Sequence, residues 1–148
     1  FEIIRQKSFN PIADQLKMWD ICIFNYLIGN TDNHIKNVSL LYDEELKTVR
    51  LAPAYDILST VIYTSSTRDM AFSIGNDYDI EKITRDSFRR EAANIGLGEQ
   101  MAMKRFDYLA NAFPYALNKA CDELLGKGFN KAIDIYERIR DKRREFIS

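Results

Sequence analysis

The chain has 148 residues, 46% of them hydrophobic and 29% charged, which suits one globular domain around a single core. A formal net charge of −1 gives no basic excess for nucleic acid or acidic membranes, so direct nucleic-acid binding is not expected. No apolar run approaches the roughly 20 residues of a membrane helix, no secretory signal opens the chain, and one histidine with two distant cysteines cannot build a nitrogen–sulfur zinc site. Cys22 and Cys121 lie in apolar helical patterns and read as buried reduced thiols, which fits a cytoplasmic setting.

The chain opens on Phe1 rather than Met, so a trimmed chain or a piece of a longer one is expected. Asn10-Pro11 reads as a helix start, with Asn as N-cap and Pro at the first helical position. Ile12, Leu16, Trp19, Ile23 and Leu27 follow at helical spacing, and Gly29 suits the C-cap. Residues 38–42 and 48–51 are β-rich and separated by a charged turn, which predicts a hairpin. Residues 59–79 are broken by Thr, Ser, Gly, Asn and Asp; a loop is expected there, with one short strand at most over 70–74. Thr84 should cap a helix over 85–95 that Gly96 closes, and a long helix is expected over 99–125 with Pro114 kinking or dividing it. Asn130 should cap a last helix with Ile133, Tyr136, Ile139, Arg143 and Phe146 near one face. Arg138, Arg140, Lys142, Arg143 and Arg144 alternate with Asp134, Glu137, Asp141 and Glu145, the pattern of a solvated helix rather than of a nucleic-acid patch.

The most informative segment runs Leu27-Ile28-Gly29-Asn30-Thr31-Asp32-Asn33-His34-Ile35-Lys36-Asn37-Val38-Ser39. A turn after a helix needs two or three polar residues; this run is polar from Asn30 to Asn37 save Ile35. Asp32 and Asn37 have the spacing of the protein-kinase catalytic loop, and a second acid follows in Leu51-Ala52-Pro53-Ala54-Tyr55-Asp56-Ile57-Leu58. Acid, amide and acid are what phosphoryl transfer needs: a group to orient the acceptor hydroxyl and two oxygen ligands for magnesium. Asp32 is the candidate base, and Asn37 and Asp56 the candidate ligands for Mg2+ bound with ATP. His34 and Lys36 are candidates for the positive charge beside the transferred phosphate. Simpler roles stand beside these: an N-cap for Asp56, a structural or merely exposed imidazole for His34, an exposed loop lysine for Lys36. The expected fold is mainly α, a protein-kinase-like C-lobe of helices with one small β-hairpin.

The two blocks, Leu-Ile-Gly-Asn-Thr-Asp-x-His-x-Lys-Asn-x-Ser and Leu-Ala-Pro-x-Tyr-Asp-Ile-Leu-Ser, resemble the C-terminal domain of HipA-like serine/threonine kinases, the toxins of bacterial toxin–antitoxin systems. The specific blocks cover residues 27–59, and the helical remainder agrees in order and length, so residues 1–148 would form one such domain. The resemblance implies that Asp32 is the catalytic base, that Asn37 binds magnesium, and that Asp56 replaces the acid of the common kinase Asp-Phe-Gly, here Asp-Ile-Leu. It also implies a protein substrate and a DNA-binding antitoxin partner. Residues 1–11 carry neither a phosphate-covering loop nor a strand lysine, so a C-lobe without its N-lobe is expected, inefficient alone.

Two rivals remain: a non-catalytic module that keeps the fold only for protein contacts, and a helical interaction protein with a chance polar loop. The intact Asp32, Asn37 and Asp56 set argues against both. Residues 59–67 are expected to form a mobile loop near the acceptor site. Apolar cleft surface at Ile57, Leu58, Val61, Ile62 and Tyr63 is expected to favour a homodimer.

Overall fold

A computed structural model describes residues 1–143. In chain order it has α1 (Glu2–Lys7), α2 (Pro11–Ile28), a 3-10 turn (Ile35–Asn37), β1 (Leu40–Tyr42), β2 (Val49–Leu51), β3 (Asp69–Ile74), β4 (Asp77–Asp79), α3 (Arg85–Asn94), α4 (Glu99–Gly126) and α5 (Ala132–Lys142). The protein is mostly helical, with two small antiparallel hairpins among the described residues.

Helix α2 is the spine. The Asn10 side chain accepts the Ala13 N–H, Pro11 occupies the first turn, and Gly29 ends the helix in the left-handed region at φ 75°. Trp19, Ile23 and Leu27 are buried as the spacing predicts; Leu16 is half-buried and Ile12 is exposed. Trp19, Tyr26 and Phe106 converge on Phe88 of α3, with ring centroids 5.6, 5.1 and 4.8 Å away. Two buried polar tips are satisfied at backbone carbonyls: Trp19 Nε1 donates to Ala102 and the Tyr26 hydroxyl to Ile83.

The first hairpin pairs Leu40 with Leu51 and Tyr42 with Val49, inside the predicted runs. Helix α2 pins it through charge-assisted bonds. Asp14 accepts the Leu51 N–H at 2.7 Å, and Lys17 Nζ donates to the Leu51 carbonyl at 3.2 Å. The chain therefore leaves β2 towards Asp56 from a fixed point.

The expectation of a single hairpin is incorrect. Residues 69–79 form a second one, with Ile74 opposite Asp77 and a two-residue turn at Gly75-Asn76. Both turn residues have positive φ, 59° and 74°, as a type I′ turn requires. The Gly-Asn pair therefore joins strands rather than breaking a pattern.

Thr84 and Ser87 form a reciprocal capping box on α3, and Gly96 follows its end at φ 67°. Pro114 does not divide α4, which stays one helix of 28 residues. Lys131, not Asn130, precedes α5, without a side-chain cap. The buried residues of α5 are Ala132 and Ile139, with Tyr136 half-buried and Ile133 exposed, and Arg143 just past its end is buried too. Arg143 thus departs from the solvated pattern: its guanidinium lies 4.5 Å from the Tyr26 ring centroid. Phe146, Arg144 and Glu145 lie outside the described residues. No helix among the described residues is long and apolar enough to cross a membrane.

Candidate functional site

The polar segment 30–37 and the stretch around Asp56 are two separate loops that side chains sew together. Asn30, Thr31 and Asn33 are buried, whereas Asp32, His34 and Lys36 face outward. This alternation has a physical reason. The Asn30 amide donates to Asn25 Oδ1 at 2.7 Å and lies 3.4 Å from the Asp56 carbonyl, while its oxygen accepts the Asp32 N–H at 3.1 Å. One buried side chain thus touches the backbone of both candidate acids.

A second stitch comes from Thr60. Its hydroxyl donates to the Gly29 carbonyl at 3.0 Å, accepts the Thr31 N–H at 2.8 Å and lies 2.7 Å from the Thr31 hydroxyl. The Thr60 N–H also donates to Gly29, at 2.9 Å. A third is the Tyr55 hydroxyl, which donates to the Lys36 carbonyl and meets the Ser39 hydroxyl, each at 2.8 Å. The Thr60 bonds and the Asn30–Asn25 bond are buried and resist separation, because each broken one leaves a desolvated polar group, whereas the Tyr55 bonds are exposed.

Asp32 Oδ1 lies 2.9 Å from His34 Nε2, and both side chains are more than half exposed. The Asp32 carbonyl accepts the His34 N–H at 3.0 Å and the Asn37 side-chain amide at 3.3 Å. The amide nitrogen of Asn37 is therefore committed to the loop, and its oxygen is the atom left for a ligand. Asp56 is exposed and has φ 55°, a left-handed shape that Asp tolerates better than most side chains. Lys36 is exposed, and its backbone, not its ammonium group, makes the contact to Tyr55.

Among the described residues, no group of three or more His, Cys, Asp or Glu side chains is placed to hold a metal ion. Magnesium needs less from protein when phosphate oxygens and water complete its shell; one or two carboxylates suffice. An amide oxygen at Asn37 and a carboxylate at Asp56 are hard oxygen donors of that kind.

The residues that unite the site, Asn30, Thr60 and Tyr55, are not among the candidates drawn from sequence. The available signal was Asn25 and Asn30 five apart across a helix end, with Thr60 in a second polar run; polar side chains beside apolar helices often bond to one another. Residues 59–67 begin as an anchored segment: Ser59 and Thr60 are buried, and Val61 and Ile62 pack on the main core. Tyr63 and Leu58 remain exposed, so the apolar surface expected there is smaller than the sequence suggests.

Behind the loop lies a cavity of about 170 Å³ whose wall includes Trp19, Cys22, Asn33, Ile35 and Phe88. Cys22 borders it, which gives the residue some accessible area, but dense surrounding protein desolvates its sulfur. Desolvation first, then the nearby Glu91 charge, pushes the Cys22 thiol up to about 12. Cys121 is buried as expected, and neither cysteine is paired.

Residues 1–117 match the family model for the HipA-like C-terminal domain. The chain belongs to that family. Its relatives include Y4mE of Sinorhizobium fredii, named as a kinase, which is 34% identical over 123 residues, 83% of this chain and 29% of that protein. The serine/threonine-protein kinase toxin HipA of Shewanella oneidensis is 26% identical over 111 residues, 75% of this chain and 25% of that protein. This HipA-like chain thus spans less than a third of either relative's length. A solved complex of Shewanella oneidensis HipA with HipB and operator DNA has the same fold, with a TM-score of 0.75 at 21% identity over 96% of this chain and 36% of that one.

Proposed function

We propose that this chain is the C-lobe of an ATP- and magnesium-dependent serine/threonine protein kinase, in which Asp32, Asn37 and Asp56 act on one face of the nucleotide. The carrying observation is the Asn30 side chain, which ties the Asp32 and Asp56 backbones together at 3.1 and 3.4 Å. Two loops held so closely at the backbone support a shared site for their acids.

Asp32 orients the acceptor hydroxyl of a protein substrate and takes its proton as the γ-phosphoryl group moves. In a loose transition state this orientation counts for more than strong basicity, so an exposed carboxylate is sufficient. Asp56 and the Asn37 oxygen would hold magnesium. A magnesium ion bound there supplies neutralisation of charge on the phosphate oxygens. His34, beside Asp32, and Lys36 supply positive charge at the transferred group. Residues 1–148 act as a single unit that completes its phosphate and adenine contacts with a separate N-lobe, as the fraction of the relatives' length supports. By the same likeness, a DNA-binding antitoxin is the partner proposed for the whole protein.

The test is phosphate transfer by the full-length protein and its Asp32→Ala variant. We expect a loss of about a hundredfold or more from the substitution, with thermal stability kept, because Asp32 is exposed. Undiminished transfer by the variant would remove Asp32 from the role of base.

A further inference from the structure

Beyond the anchored residues Ser59 and Thr60, the chain turns through Tyr63, Thr64, Ser65, Ser66 and Thr67 before Arg68. This turn borders a shallow cavity of about 90 Å³ whose wall carries hydroxyls and two cations, Arg68 and Lys142. Arg68 pairs with Glu81 at 2.8 Å in an exposed bridge, a contact that water and salt weaken. Lys142, in the last turn of α5, has no acidic partner among the described residues. Glu81 also borders the cavity, so the local balance there is one net positive charge.

The hydroxyls are not equivalent. Ser66 is half-buried. Thr67 Oγ1 already accepts the Asp69 N–H at 3.1 Å. Ser65 does not border the cavity. Thr64 is exposed, borders the cavity, and its hydroxyl makes no hydrogen bond among the described residues.

We propose that Thr64 is a phosphorylation site, and that Arg68 and Lys142 receive its phosphoryl group. In the transfer, the Thr64 oxygen forms a bond to the γ-phosphorus of ATP and the bond from that phosphorus to the bridging oxygen breaks. ADP leaves with the electron pair, the hydroxyl proton passes to a base and on to water, and nothing is oxidised or reduced. A phosphate dianion gains charge-assisted bonds to both cations and draws Arg68 from Glu81. It ties the turn to α5. The same segment holds Thr60, whose hydroxyl fixes Gly29 and Thr31 beside Asp32, so fixing the turn stiffens the start of the candidate catalytic loop. The self-phosphorylation arm of this inference rests on the kinase reading above; the receiving site does not.

Two measurements separate these layers. In the first, phosphoserine is installed genetically at position 64 and thermal unfolding is compared with Thr64→Ser. We expect the phosphate to raise Tm by about 2–4 °C, and the rise to vanish in the double variant Arg68→Ala, Lys142→Ala. No rise, or a rise that survives in the double variant, overturns the receiving site. In the second, the full-length protein is incubated with ATP and magnesium, and its phosphopeptides are mapped. Label at Thr64 that is absent from Thr64→Val supports the proposal. Transfer to other hydroxyls with none at Thr64 overturns it while the kinase reading stands. No transfer to any hydroxyl, beside an intact shift in the first measurement, overturns the kinase reading and leaves the receiving site supported for another kinase.

Discussion

Asp56 holds a backbone shape that most side chains resist. Its φ of 55° places Cβ near the following carbonyl, a cost of about 1–2 kcal/mol that Asp and Asn bear better than other residues. The shape points the Asp56 carbonyl at Asn30, so it belongs to the link between the loops. We expect Asp56→Asn to stay within about 0.5 kcal/mol of the parent in urea unfolding, since the side chain is exposed. Asp56→Val should lose about 1–2 kcal/mol through its branched side chain alone. Equal stability of the two variants would mean that the loop does not hold this geometry. Cys22 makes a second prediction at this scale. Its folded thiol titrates near 12 against an ordinary value of 9.0, so folding favours the protonated form. The unfolded chain loses its proton first as pH rises. Stability linked to this thiol is therefore complete below about pH 9 and is lost progressively from there towards pH 12. Unfolding measured between pH 7 and pH 10.5 should show this decline in the parent and a shallower one in Cys22→Ala. Matching slopes would remove the thiol from the cause.

Among the elements, the junction of the two loops is the most exacting, and Thr60 carries much of it. Thr60→Val keeps the shape but leaves the buried Thr31 N–H without its acceptor, at a cost of about 1–3 kcal/mol. Thr60→Ser should recover most of that loss in the same denaturation experiment. If valine proves harmless, the hydroxyl bridge is not what joins these loops. The longer helices α2, α3 and α4 were the readable part of this fold, whereas α1 had no expectation and Lys131 rather than Asn130 precedes α5. Asn10-Pro11, Thr84, Gly29 and Gly96 mark ends through local backbone chemistry, and local chemistry is written in adjacent residues. The first hairpin was readable for the same reason. The second was obscured because Gly75 and Asn76 fit both a loop and a type I′ turn; only the pairing of Ile74 with Asp77 decides between them. Arg143 misleads in the opposite way. Its neighbours spell a charged surface, but long-range packing against Tyr26 buries it. The candidate acids stood out by type and spacing, whereas the linking roles of Asn30 and Thr60 did not, since the contacts that join the two loops span 26 and 29–31 residues in the sequence.

At the scale of the whole molecule, the site is rigid at its base and open at its top. Burial at Asn30, Thr31 and Asn33 fixes the loop from below, while Asp32, His34, Lys36 and Asp56 project outward. Ile35 stands 70% exposed between the candidate groups, an apolar side chain without cover on that face. Under the proposed function, a nucleotide touching only this surface gains a magnesium bridge through Asn37 and Asp56 and weak exposed contacts to His34 and Lys36. Exposed charge pairs contribute about 0–1 kcal/mol each, and association must first offset several kcal/mol of lost motional freedom. Millimolar affinity, about −4 kcal/mol, is the scale such a set reaches. Calorimetry on residues 1–148 with ATP and magnesium should therefore give a Kd near the millimolar range. The full-length protein should bind far more tightly, and Asp56→Ala should weaken that binding and its magnesium dependence together. Micromolar binding by the 148 residues alone would mean that these loops form a more complete phosphate site than their exposure indicates. Tight binding by the full-length protein that Asp56→Ala leaves intact would separate Asp56 from the metal.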